Sequence, residues 1–167
     1  LHNDFGNTLQ ALGRLPEAEA SFRKSIALNP DLAEVHYNLG NTLKALERVE
    51  ESAESYKQAI VLKPDFAIAY NNLGHLLQAL DRSEEAKNYL EKAVALGPHL
   101  CETHLNLGIT LNALGSLKEA EVSFRRAIAI KPDSAEAHNN LGNTLQKSGR
   151  LQEAEIFLRQ AIGFKSD

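Results

Sequence analysis

Five octapeptides recur in this chain at a fixed interval of 34 residues: HNDFGNTL from His2, HYNLGNTL from His36, YNNLGHLL from Tyr70, HLNLGITL from His104 and HNNLGNTL from His138. A chain with this period does not close one core around one centre. Each repeat is a supersecondary unit that buries its apolar face against its neighbours. The register holds without insertion or deletion, so the repeats are residues 1–32, 33–66, 67–100, 101–134 and 135–167. No linker separates them, and the 167 residues read as one domain. They also read as a fragment of a larger protein. There is no methionine, the first repeat starts two residues late, and nothing after the last helix covers Phe157, Ile162 and Phe164. A local fold-back of Phe164 is the other reading of that end.

Each repeat holds two helical patterns. In the second repeat His36, Leu39, Gly40, Leu43 and Leu46 follow the i, i+3, i+4, i+7 spacing of one helix face. A break follows at Glu47-Arg48, where other repeats place Gly13, Gly115 and Gly149, suited to the left-handed residue that ends a helix. A second helix then buries Ala53, Tyr56, Ala59 and Ile60. Pro30, Pro64, Pro98 and Pro132 stop each unit, because proline does not continue a helix. Asp31 and Asp133 are expected to cap the next helix, with Glu34 and Glu136 three residues on. Gly6, Gly40, Gly74, Gly108 and Gly142 are each followed twelve residues later by a small residue, such as Ala18 or Ser52. Small facing small is expected to let the paired helices approach closely.

These letters resemble the tetratricopeptide repeat pattern over the whole chain. The large first residue, the Leu-Gly pair, the later Ala, aromatic or Leu, and the closing Pro all recur in register. The departures are His or Tyr in the frequent Trp slot, serines at Ser25 and Ser52, and Ser166 in place of the last proline. The resemblance implies an all-α fold: antiparallel helix pairs stacked into a right-handed superhelical solenoid. It also implies a concave groove lined by the first helix of each pair.

Within the octapeptide the first, fourth, fifth and eighth letters are core, and the resemblance assigns the second, third and sixth to the groove. The third letters are Asp4, Asn38, Asn72, Asn106 and Asn140. The second are Asn3, Tyr37, Asn71, Leu105 and Asn139, and the sixth are Asn7, Asn41, His75, Ile109 and Asn143. A carboxamide offers an N–H donor and a C=O acceptor, as every peptide bond does. Stacked helices lie ~8–10 Å apart, and three residues of an extended chain rise ~10 Å. An extended peptide therefore stays in step with one asparagine per three residues. The row resembles the asparagine ladder in the repeat domain of O-linked N-acetylglucosamine transferase. Two readings stay open: a peptide-binding ladder, or a structural or inherited one. The heat-shock tail clamp of some family members needs Lys as a second letter and Arg as a third, and neither occurs.

Other chemistries find little purchase. With 18 basic and 22 acidic side chains scattered along the chain, no basic patch marks a nucleic-acid site. No apolar run is long enough to span a membrane. A lone Cys101 excludes an internal disulfide and fits a reducing, cytoplasmic compartment. The recurring His2, His36, His104 and His138 lie a repeat apart, too far to share one ion, so no metal and no cofactor is expected. No nucleophile elbow, P-loop or dinucleotide fingerprint appears, and the chain reads as no enzyme. Glu19 with Arg23, Glu121 with Arg125 and Glu155 with Arg159 have the i,i+4 order of surface helix support. The functional expectation is a protein-interaction scaffold that binds an extended peptide. The alternatives are self-association through the end helices, and a substrate-recruiting domain of a larger enzyme such as a glycosyltransferase.

Overall fold

The computed structural model describes residues 1–164; the end of repeat five, with Ser166, lies outside the described residues. Among the described residues there are ten α-helices and no strands. The first helices of the repeats are α1 (His2–Ala11), α3 (Ala33–Ala45), α5 (Ala67–Ala79), α7 (Cys101–Ala113) and α9 (Ala135–Lys147). The second helices are α2 (Leu15–Leu28), α4 (Val49–Leu62), α6 (Ser83–Leu96), α8 (Leu117–Ile130) and α10 (Leu151–Gly163). The chain forms two compact units, Leu1–Leu76 and Leu77–Asp167. In the first, α1 packs on α2, α2 on α3, and α3 on α4; in the second, α6 to α10 pack in the same consecutive order. First helices of adjacent repeats also touch, α1 with α3 and α7 with α9. In each unit the first helices therefore form one continuous face.

The turn inside each repeat is built the same way five times. The backbone N–H of Arg14 reaches the carbonyl of Leu9 at 2.9 Å while that of Gly13 reaches Gln10 at 3.0 Å. This is the paired closure of a Schellman motif, which satisfies the last carbonyls of the helix. Arg48 to Leu43, Arg82 to Leu77, Ser116 to Leu111 and Arg150 to Leu145 repeat it. The motif needs a left-handed residue, and Gly13, Gly115 and Gly149 supply it with φ of 73°, 77° and 77°. Glu47 and Asp81 do the same job at φ 60° and 59° although each carries a Cβ. That conformation costs roughly 1–2 kcal/mol for an L-residue, while glycine loses ~0.5–1 kcal/mol more backbone entropy on folding. Glu47→Gly is therefore expected to stabilise the chain by about 0.5–1 kcal/mol, readable as a higher urea midpoint. An unchanged or lower midpoint would show that the Glu47 turn carries no steric strain.

The repeat boundary differs from expectation in one respect. The helix-capping residues are Leu32, Leu100 and Ser134, not Asp31 and Asp133. Leu32 and Leu100 provide no side-chain cap, whereas Ser134 accepts the Ala137 N–H at 3.2 Å. The aspartates sit one residue too early, in the turn after the proline. The residues before the prolines leave the helix as proline sterics require, Lys63 at φ −135° and ψ 87°.

The mid-helix glycines also work differently. A Cβ at Gly40 would lie 2.6 Å from Tyr56 Cε1, one at Gly6 2.6 Å from Phe22, and one at Gly108 2.5 Å from Phe124. What faces the glycine most closely is the ring sixteen residues on, laid against the bare helix backbone. The small residue twelve on has a second role: Ser52 Oγ donates to the Gly40 carbonyl at 2.8 Å. Phe22, Tyr56 and Phe124 are fully buried. In the first unit Leu9, Ala18 and Phe22 form one cluster with Val35, Leu39 and Leu43 of the next repeat, so the core runs across repeats.

At the C-terminal end, the Phe164 ring packs on His138 with centroids 5.1 Å apart, and Phe157 lies 6.0 Å from the same ring. Phe164 thus folds back locally. Ile162 stays 68% exposed.

Candidate peptide-binding face

The third letter sits near the middle of α3, α5, α7 and α9, and at Asn38, Asn106 and Asn140 its backbone carbonyl is tied into the core. The seventh letter, which sequence reasoning left out of the core, is fully buried at Thr42, Thr110 and Thr144. Each hydroxyl donates to the carbonyl of the third letter one turn back: Thr42 to Asn38 at 2.9 Å, Thr110 to Asn106 at 3.0 Å, Thr144 to Asn140 at 2.7 Å. A buried hydroxyl needs a partner, and the i−4 carbonyl supplies it. The recurring threonine was the available signal.

The side chains of the row do not all behave alike. In the first unit Asn38 Nδ2 donates to Asn7 Oδ1 at 2.9 Å and to Asn3 Oδ1 at 3.3 Å. Asn72 Nδ2 donates to Asn41 Oδ1 at 3.1 Å and to the Tyr37 hydroxyl at 3.2 Å. Each asparagine thus spends its donor on the second and sixth letters of the preceding repeat. Both are half-buried, and Asp4, which has no donor when ionised, is exposed. In the second unit Asn106 is only 5% exposed. Asn140 is half-buried, and its carboxamide makes no bond among the described residues. Asn139 is exposed and Asn143 half-buried. One turn further along, Asn112 joins α7 to α9, donating to Thr144 Oγ1 at 2.9 Å and accepting from Lys147 Nζ at 2.9 Å.

Two second letters assigned to the groove are buried instead, Asn71 at 4% and Leu105 at 8% exposure. Tyr37 is half-buried, its ring against Phe66 at 5.0 Å and Tyr56 at 5.9 Å. The Tyr37 ring packs over the helix pair, because an aromatic ring gains more by packing than by standing in water. His75 Nδ1 accepts from Lys44 Nζ at 3.3 Å.

Beneath the face, Tyr56 occupies the slot filled by Phe22, Leu90, Phe124 and Leu158 in the other repeats. Its hydroxyl donates to Asn41 Oδ1 at 2.7 Å. Burial pushes this phenol up to about 12, so it stays protonated and keeps donating. The core thereby fixes Asn41, which holds Asn72. A buried tyrosine among phenylalanines and leucines announces such a partner in advance.

The histidines are used locally. His36 and His104 hold the carbonyls of Pro30 and Pro98 through Nε2, each at 2.9 Å, and His138 holds the Ser134 carbonyl through Nδ1 at 2.9 Å. Carbonyl oxygens only accept, so these ring nitrogens carry protons. The half-buried Cys101 thiol points to the Ala127 carbonyl at 3.5 Å, and burial pushes its pKa up, away from the reactive thiolate.

On the second helices, two of the three helix-support pairs also join repeats, those of Glu19 and Glu121. Glu19 is bonded by Arg23 at 2.8 Å within its helix and by Arg48 of the next repeat at 2.7 and 2.8 Å. Arg48 also forks onto Glu51 at 2.7 and 2.6 Å, and Arg23 reaches Glu51 at 3.1 Å. The second unit repeats the square with Glu121, Arg125, Arg150 and Glu153. The recurrence of Arg14, Arg48, Arg82 and Arg150 after the turn was the signal missed.

The Glu121 side chain is 18% exposed, and burial alone would raise its pKa; Arg125 and Arg150 overcome this and hold it below the usual carboxylate range. A depressed pKa contributes stability above the unfolded value that is lost as pH falls through the folded one. Wild type is therefore expected to exceed Glu121→Gln by ~1 kcal/mol at pH 7. The gap should close as the pH drops through and below about 4.3, the ordinary Glu value. Thermal melts of both chains across that range test it, and a gap independent of pH refutes the ionic origin.

The comparisons with known proteins bear on this arrangement. Models of the TPR repeat match residues 6–47 and 40–81, and those of the tetratricopeptide repeat match residues 65–133 and 99–166. The chain belongs to the tetratricopeptide repeat family. Among solved structures, MamA is similar with a TM-score of 0.91 and 24% identity, covering 96% of this chain and 94% of that one. MamA from Desulfovibrio magneticus RS-1 reaches a TM-score of 0.92 at 17% identity, covering 99% and 93%. YrrB, described as a TPR protein with an unusual peptide-binding site, has a TM-score of 0.87 and 26% identity, covering 99% and 86%. No curated protein matches significantly. This tetratricopeptide repeat chain is thus an all-α repeat solenoid and a protein-interaction scaffold. None of its described helices is long and apolar enough to cross a membrane.

Proposed function

We propose that the first-helix face holds an extended segment of another protein, with the third-letter asparagines contacting its backbone. The observation that carries this reading is the division of labour within the Asn38 carboxamide. At Asn38 the Nδ2 group ties adjacent repeats together, while Oδ1 accepts no bond among the described residues. A half-buried carbonyl oxygen, fixed in direction by its own amide, is a ready acceptor for a peptide N–H. Asn140 keeps both its donor and its acceptor available. At Asn38 the structural and the ligand-binding roles then fall on different atoms of one side chain. YrrB, with its peptide-binding site, lends support by similarity. Tyr37 and His75 would lend selectivity, as rigid aromatic and polar groups beside the row.

The expected contact is one-sided at Asn38 and two-sided at Asn140, whereas Asn72 Oδ1 already accepts from Asn71 Nδ2 at 3.4 Å. This distinction makes the experiment sharper. Binding of a diverse peptide library is measured for wild type, for Asn140→Ala, and for the Asn38→Ala, Asn72→Ala, Asn106→Ala triple variant. Asn140→Ala breaks no side-chain hydrogen bond among the described residues, so its melting temperature is expected to hold while peptide affinity falls roughly tenfold, about one good hydrogen bond. The triple variant is expected to lose binding and also some stability, because it removes inter-repeat bonds. Wild-type affinity in both variants would assign the row to structure alone. The recruitment of a substrate for an attached enzyme would use the same face and is read from the parent open reading frame.

A further inference from the structure

The two ends of the chain carry matching halves of a contact that the chain makes internally. Where repeat one meets repeat two, Glu19 and Arg23 on the second helix receive Arg48 and Glu51 from the next repeat. Repeat four meets repeat five through the same four positions, Glu121 and Arg125 with Arg150 and Glu153. The pattern is selective. Repeat three has Lys87 and Glu91 at the receiving positions, and the following repeat has Ser116 where the arginine would be.

The last repeat restores the receiving pair. Glu155 and Arg159 stand on α10, bonded among the described residues only to each other, at 2.7 and 2.9 Å. The first repeat restores the donating pair: Arg14 forks onto Glu17 at 2.7 and 2.5 Å and reaches no other acid among the described residues. These pairs stand in the same register as the internal contacts: residue 14 corresponds to 48 and 150, and residue 155 to 19 and 121.

Apolar surface follows the same match. Beside Glu155 and Arg159 lies a hollow of about 350 Å³ lined by Leu151, Leu158 and Ile162. At the corresponding place on α2, Phe22 and Ala18 are covered by Val35 and Leu39 of α3. Phe5 on α1 corresponds to Leu39 and is 56% exposed.

We infer that α10 of one copy docks α1 and the following turn of a second copy, head to tail, in the register of the internal repeats. Arg14 of the second copy bonds Glu155, Glu17 bonds Arg159, and Phe5 enters the hollow. The occupant is a second copy because one surface supplies both the apolar residue and the two charges of the right sign at the right spacing. This inference is independent of the peptide-binding reading, since it uses the end faces and not the asparagine row. A heterologous contact of this kind does not stop at two copies.

The test is the solution mass of the 167-residue chain by sedimentation velocity, from micromolar to near-millimolar concentration, at low and high salt. Wild type should exceed 18.4 kDa with concentration, less so at high salt. Arg14→Glu loses the donating end and Glu155→Arg the receiving end; both sites are exposed, and thermal melts check that each variant folds. Each variant alone should remain at 18.4 kDa. Mixed in equal amounts, they should associate again, because the intact α10 end of the first meets the intact α1 end of the second and the two charge reversals complement each other at the remaining junction. A wild type that stays at 18.4 kDa throughout overturns the inference, as do single variants that associate like wild type.

Discussion

Phe124→Ala is expected to cost about 3–5 kcal/mol and to lower the melting temperature by roughly 10 °C. Phe124 is fully buried, and its ring lies along the bare backbone at Gly108. Truncation removes transfer free energy and leaves a cavity that two helices pinned by the Schellman turn at Ser116 cannot close by moving together. Adding Gly108→Ala to that background should recover part of the loss, because the new methyl enters space the ring has vacated. In the wild-type background the same methyl would sit 2.5 Å from Phe124 Cε1. Urea denaturation of the four chains gives the coupling. Additive effects would mean that ring and glycine do not share one space.

Gly40→Ala tests the opposite side of the same contact. In a helix interior alanine is favoured over glycine by ~1 kcal/mol. Here its Cβ would fall 2.6 and 2.7 Å from Tyr56 Cε1 and Cδ1. The ring has little freedom to yield, since it is fully buried and its hydroxyl is held by Asn41 at 2.7 Å. Overpacking of this kind costs about 1–3 kcal/mol, so with the ring held in place the clash offsets the propensity gain and a net loss of up to about 2 kcal/mol is expected. The displacement should also reach the proposed binding face, because Tyr56 positions Asn41 and Asn41 accepts from Asn72. A stabilised Gly40→Ala chain would show that the ring moves freely and that propensity decides.

Much of the fold was legible in advance because it follows from local rules. The 34-residue register, the helix pairs, the glycine turns and the proline stops each depend on a few neighbouring residues, and each is present. The cap expected of Asp31 and Asp133 failed by one residue, since the chain leaves the proline turn through Leu32 and Ser134 before the helix begins. Small-facing-small was incomplete for a different reason: the contact spans two helices, and spacing along the chain does not say which of two residues on α4 lies nearest Gly40.

The asparagine row shows where local rules end. Its recurrence and its place on the first helices are properties of the chain order alone. Its use of donors is not. Asn38 turns its amide to Asn7 because the stack brings α1 and α3 side by side, whereas Asn140 makes no such bond. The arginines after the turn behave likewise, each locally paired with a glutamate, and only stacking sets Arg48 on Glu19 and Arg150 on Glu121. Helix order and length rest on backbone preferences within a few residues. Hydrogen-bond direction and ion pairing between repeats rest on distances that exist only once the helices are stacked.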